Sequence, residues 1–116
     1  MPSLQLDAPV TLDVDARREL ARRLASAYAE IMRTSPELVT VVIHESSVWR
    51  GGEPSALLMC DVRRGRTVET RAELSRVVIA ICAEATGIEP KVEFTQHAGD
   101  EMYHPWLGGF IRDWEG

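Results

Sequence analysis

The sequence predicts an α+β subunit: two βαβ units in the order βαββαβ, forming one four-stranded mixed sheet with two helices on one face. Extended stretches rich in β-branched residues alternate with long stretches whose apolar residues recur at helical spacing. The second half also repeats the first. A shift of 54 positions sets Asp15 on Glu69, Arg17 on Arg71, Glu19 on Glu73, Leu20 on Leu74 and Arg22 on Arg76. Two right-handed βαβ crossovers joined in this way place both helices on one side of the sheet and leave its other face bare. A bare face predicts burial against other subunits.

The elements follow in order. Met1-Pro2-Ser3-Leu4-Gln5-Leu6-Asp7 alternates as a strand, with Leu4 and Leu6 on one face and Ser3, Gln5 and Asp7 on the other. Ala8-Pro9 ends it. Asp13 is the expected N-cap of the first helix, and Asp15 adds a carboxylate to its first turn. Leu20, Leu24, Ala27 and Ile31 form its apolar stripe, Arg17, Arg18, Arg22 and Arg23 a solvated face, and Thr34-Ser35-Pro36 its stop. Leu38 to Glu45 reads as the second strand, Ser46 to Pro54 as a loop, and Ser55 to Val62 as the third strand. Thr67 is the N-cap of a second helix that buries Leu74, Val77, Val78, Ile81 and Ala85 and stops at Gly87. Lys91 to Gln96 supplies the fourth strand. The chain thus reads as a single domain over 1–116. Residues 1–54 are the first unit with its loop, 55–102 the second, and 103–116 an aromatic interface tail with Tyr103, Trp106, Phe110 and Trp114.

At 116 residues, the chain suffices for one ordinary core. Its net charge of −5 argues against a general nucleic-acid surface. No apolar run approaches a membrane span, and no signal-peptide pattern is present. Cys60 and Cys82 lack ligand spacing and read as buried free thiols, so the expected location is cytoplasmic and reducing.

Two features carry chemistry. Pro2 follows the initiator methionine, and removal of Met1 would leave a secondary amine at the head of a strand. Arg63 and Arg66 lie at a strand-to-helix junction around Gly65, where the N–H groups of the helix starting near Thr67 add positive potential suited to a small carboxylate. Equivalent strands bring the two features together. One arginine about 8 Å from the amine, at an effective dielectric of about 20, disfavours its protonated form by about 2 kcal/mol. A neutral Pro2 could then move a proton α to a carbonyl, with the arginines holding the carboxylate and the developing enolate.

At these residues the chain resembles the tautomerase superfamily. Val39 to Glu45 resembles that family's second strand, and Gly65 to Arg71 the matching stretch of 5-carboxymethyl-2-hydroxymuconate isomerase. Arg63-Arg64-Gly65-Arg66 is similar to the arginine pair, three apart, of cis-3-chloroacrylic acid dehalogenase. The resemblance implies a cofactor-independent enzyme with Pro2 as catalytic amine and Arg63 and Arg66 as carboxylate binders. It also implies a homotrimer with sites near subunit interfaces. There are departures. Leu12 and Thr40 stand where the short tautomerases carry arginines, Tyr28 where the dehalogenase has a histidine, and His104, with Glu101 nearby, where it has a water-activating glutamate.

The expectation is therefore a keto–enol tautomerase or isomerase of small anionic 2-oxo or 2-hydroxydienoate acids. Pro2, Arg63, Arg66 and Tyr28 are its catalytic candidates. Thr40, Glu93, His104 and Trp106 are candidate substrate-binding or accessory residues, with Glu93 taken as the second unit's equivalent of Thr40. No metal, nucleic acid or membrane partner is expected, and His97, Asp100, Glu101 and His104 read as a loop cluster without ligand geometry. Dehalogenation or hydration, a malonate semialdehyde decarboxylase-like reaction, and a non-catalytic oligomeric binding protein are the alternatives.

Overall fold

The computed structural model describes residues 2–110. Ser3–Ala8 forms β1, Thr40–Glu45 β2, Trp49–Arg50 β3, Glu53–Pro54 β4, Leu57–Arg63 β5 and Lys91–His97 β6. The helices are α1, Val14–Met32, and α2, Val68–Thr86, and Tyr103–His104 and Gly109–Phe110 form a terminal hairpin, β7 and β8. The main sheet has the order β2-β1-β5-β6. β1 and β5 run antiparallel at its centre, and each pairs in parallel with the strand closing its own unit. This is the predicted mixed sheet of two βαβ units.

Local chemistry sets the helix ends. The Asp13 carboxylate accepts from Ala16 N–H at 2.7 Å, and the Thr67 hydroxyl accepts from Thr70 N–H at 3.1 Å. Gly87, at φ +80°, lets its N–H turn back to the Ala83 carbonyl at 2.8 Å. α1 ends at Met32 with Arg33 left-handed at φ 56°, before the expected Thr34 stop. A 3-10 turn at Pro36–Leu38 delays β2 to Thr40. The stretch read as a loop holds the β3–β4 hairpin, because Gly51 and Gly52 both take positive φ.

The core lies between the helices and one sheet face. Leu4, Leu6, Leu58, Cys60 and Val62 point into it from the central strands and meet Leu20, Leu24, Met32, Leu74 and Val78. Tyr28 is fully buried within it, whereas Ala27 and Ile31 only pack against it. In α2 the expected Val77 is 36% exposed, and Cys82 takes the inner position one turn beyond Val78. Both cysteines are free and buried; burial pushes the Cys60 thiol up to about 12 and Cys82 to about 11, which leaves them protonated and inert. On the opposite face Ser3, Gln5, Asp7, Met59 and Asp61 remain partly exposed, with no helix over them among the described residues. No described helix is long and apolar enough to cross a membrane.

Candidate active site at the head of the central strand

The turn between β5 and α2 concentrates positive charge. Arg63 ends β5, Gly65 adopts φ +103°, and Arg66 precedes the Thr67 cap. The Arg64 N–H donates to the His97 carbonyl at 2.8 Å, tying the turn to the end of β6. Arg63, Arg64, Gly65 and Arg66 line a cavity of about 170 Å³. Arg63 and Arg64 also line a neighbouring cavity of about 470 Å³ with Ala98, Gly99 and Asp100.

Arg66 reaches from this turn to the other unit. Its Nη2 donates to the Met32 carbonyl at 3.0 Å, at the negative end of the α1 dipole. Tyr28 lies one turn earlier on α1. Burial pushes its hydroxyl well above the ordinary tyrosine value, against the opposing charge of Arg66, so it stays a neutral hydrogen-bond donor. Pro2 is among the fully buried side chains. Its carbonyl accepts from Thr40 N–H at 3.2 Å, and one step beyond the Ser3–Asp61 pair it stands beside Val62, next to Arg63. Pro2 shares the helix-covered side with Leu4, and Arg66 acts on Tyr28 from the same end of the sheet, whereas alternation along β5 sets Arg63 with Asp61 on the open face.

The accessory candidates divide. Thr40, His104 and Trp106 line a third cavity, of about 310 Å³, with Ser3, Asp61 and His97 on the open sheet face. Glu93 lies apart, ion-paired to Lys91 at 2.7 Å and beside Trp49 in a separate cavity. Nor does it correspond to Thr40. Thr40 pairs with Ser3 and Lys91 with Leu57, the residue 54 positions on from Ser3, so Lys91 is the equivalent. The second helix-to-strand connection is three residues shorter, which moves the correspondence. Asp61 and Ser3 escaped the sequence reading, although strict alternation places both on the open face. Among the described residues, no group of three or more His, Cys, Asp or Glu side chains could hold a metal ion.

No protein-family model and no curated protein matches the chain by sequence. Solved structures match it closely in shape. Pt0534 inactivated by 2-oxo-3-pentynoate superposes with a TM-score of 0.76 at 22% identity, covering 88% of this chain and 90% of that one. The chain has the tautomerase-superfamily fold. A member of the cis-3-chloroacrylic acid dehalogenase family gives 0.78 at 18% identity over 94% of this chain and 82% of its own. A fused 4-OT that is an asymmetric trimer gives 0.70 at 17%, over 84% and 87%. The resemblance first seen around Pro2 and Arg63–Arg66 is thus matched by the whole tautomerase-like architecture.

Proposed function

We propose that this tautomerase-fold chain is a cofactor-independent keto–enol tautomerase of small 2-oxo or 2-hydroxydienoate acids, working as a homotrimer with Pro2 as its acid–base group. The observation that carries this reading is the reach of Arg66 across the units, from the anion-binding turn to the α1 end that holds Tyr28. Arg63 and Arg66 grip the substrate carboxylate. The neutral Pro2 amine, freed by loss of Met1, takes the enol hydroxyl proton and returns it to the carbon end of the dienol. Arg66 and the Tyr28 hydroxyl stabilise the oxyanion between those steps. Oligomerisation covers the open sheet face, and the trimeric fused 4-OT of the same fold supports that assembly.

Hydration or dehalogenation needs a group to activate water. His104, the nearest equivalent, lines the cavity on the other sheet face, so tautomerisation is preferred. The test is ketonisation of phenylenolpyruvate or a 2-hydroxydienoate, followed in the ultraviolet, with the intact mass of protein from its native host. The expected mass lacks Met1, and Pro2→Ala reduces kcat/KM by about 100-fold or more. Retained Met1 would remove proline-dependent catalysis and favour the non-catalytic binding protein. Undiminished turnover by Pro2→Ala would rule out the amine mechanism.

A further inference from the structure

The open sheet face carries the same cluster twice. Asp7 of β1 and Asp61 of β5 stand 54 positions apart, the shift that relates the two units. The Ser46 hydroxyl donates to Asp7 at 2.8 Å, and the His44 Nδ1 lies 3.3 Å from that carboxylate. Asp61 accepts from the Thr95 hydroxyl, and the His97 Nε2 lies 3.7 Å from it. The strands closing the two units correspond through Thr40 and Lys91, a shift of 51 that sets His44 on Thr95 and Ser46 on His97. Hydroxyl and imidazole have exchanged places, yet each carboxylate keeps one of each.

Other charges face these imidazoles. Asp7, opposite His44, also accepts from the Gln5 amide at 3.1 Å. His97 is the register partner of Arg63, and Glu101, bonded by the Ala98 N–H at 2.9 Å and near Arg64, stands 3.8 Å from its Nδ1. Tyr103 and His104 line the same cavity as His97, where burial and then the charge of the amino terminus act on His104. Lys91 and Glu93 lie further along β6 and pair with each other. Burial raises the Asp7 carboxyl, but its contacts with Ser46, Gln5 and His44 outweigh this and hold it ionised. In the single chain the His44 and His97 side chains keep 55% and 39% of their surface, so their surroundings change when the face is covered.

We infer that the open face is a proton-dependent interface between copies of this chain, closing when His44 and His97 are protonated against Asp7 and Asp61 and loosening when they are neutral. The inference rests on the proposed oligomer. A covered carboxylate is costly beside an uncharged partner and less so in a hydrogen-bonded ion pair. The chain also carries a net charge of −5 with its histidines neutral, so gathering copies brings like charges together. Both effects have one sign. Covering the face favours the charged imidazoles, so assembly takes up protons, is strongest below the ordinary histidine range and weakens as pH rises through it.

The experiment is sedimentation velocity on a dilution series of the full-length protein at about pH 6 and about pH 8.5. The concentration at half-assembly should rise at least about tenfold at the higher pH. His44→Gln with His97→Gln should cut that ratio to about threefold or less. Asp7→Asn with Asp61→Asn should bring assembly at the higher pH close to that of wild type at the lower one. Glu30→Gln with Glu73→Gln removes as many carboxylates from the exposed helix surfaces and should keep the tenfold ratio. Circular dichroism checks that each variant is folded. A trimer indifferent to pH overturns this inference alone, as does a full pH response in the folded histidine variant or equal tightening by the helix-surface control. A monomer at every concentration and both pH values removes the proposed oligomer, and this inference with it.

Discussion

Replacing Arg66 would separate the observed helix-end contact from the proposed grip on the substrate carboxylate. One Nη2 hydrogen bond ties it to the Met32 carbonyl at 3.0 Å, and its planar five-donor guanidinium has the fork geometry that suits a carboxylate. Arg66→Gln removes the charge. Losing two charge-assisted hydrogen bonds to substrate, partly offset by remaining contacts, costs about 3–4 kcal/mol, or about 100- to 1,000-fold in kcat/KM. Losing a cation at the α1 C-terminus costs only about 0.3–1 kcal/mol, a fall of a few degrees in Tm. Arg66→Lys keeps the charge near the helix end but not the planar fork, so its Tm stays near wild type while kcat/KM falls about tenfold or more. The assay is steady-state ketonisation of a 2-hydroxydienoate beside thermal unfolding of the same preparations. A kcat/KM within about threefold of wild type in folded Arg66→Gln refutes the assignment of Arg66 to the substrate carboxylate.

Two further predictions concern the frame. Leu24, with no exposed surface, lies between α1 and the sheet; Leu24→Ala should cost about 2–5 kcal/mol in urea unfolding, and a loss below about 1 kcal/mol would contradict its place in the core. Burial raises the Asp7 carboxyl, but hydrogen bonds from Ser46 at 2.8 Å and Gln5 at 3.1 Å, with His44 at 3.3 Å, outweigh it and leave the net value lowered. A lowered value contributes stability that is present above the unfolded-state value of about 3.9 and lost as pH falls through the folded one. Asp7→Asn should therefore flatten the stability profile below about pH 5, and an unchanged acid limb would sink this assignment.

Local signals in the sequence carried most of the fold. Asp13, Thr67 and Gly87 fix helix ends through single side chains or one backbone angle, and such features are readable residue by residue. The Gly51-Gly52 pair was an equally local hairpin signal, but each flanking strand has only two residues, too few to show alternation. Val77 and Cys82 changed places because spacing alone allows several neighbouring stripes on a helix, and contact with the sheet selects one. The placement of the candidate residues was half legible. Arg63 and Arg66 are neighbours in sequence around a glycine, whereas the approach of Arg66 to Met32 spans two units and depends on sheet order. Glu93 was misassigned for the same reason: a three-residue difference in connection length alters register without altering composition. The pairing of Ser3 with Asp61, and of Arg63 with His97, is likewise a property of the assembled sheet.

The position of β1 bears on how finely an amine could be aimed. The beginning of a polypeptide ordinarily frays, and a reactive group there sweeps through many orientations. Here the leading strand is an inner one, laced to β2 on one side and β5 on the other, with the Pro2 carbonyl already tied to Thr40. The pyrrolidine ring restrains rotation about its own N–Cα bond. On the proposed mechanism, a nitrogen released at that spot would inherit the stiffness of the sheet, and its lone pair would keep one bearing from turnover to turnover. Under that mechanism, stereochemical fidelity of proton delivery would follow from strand order.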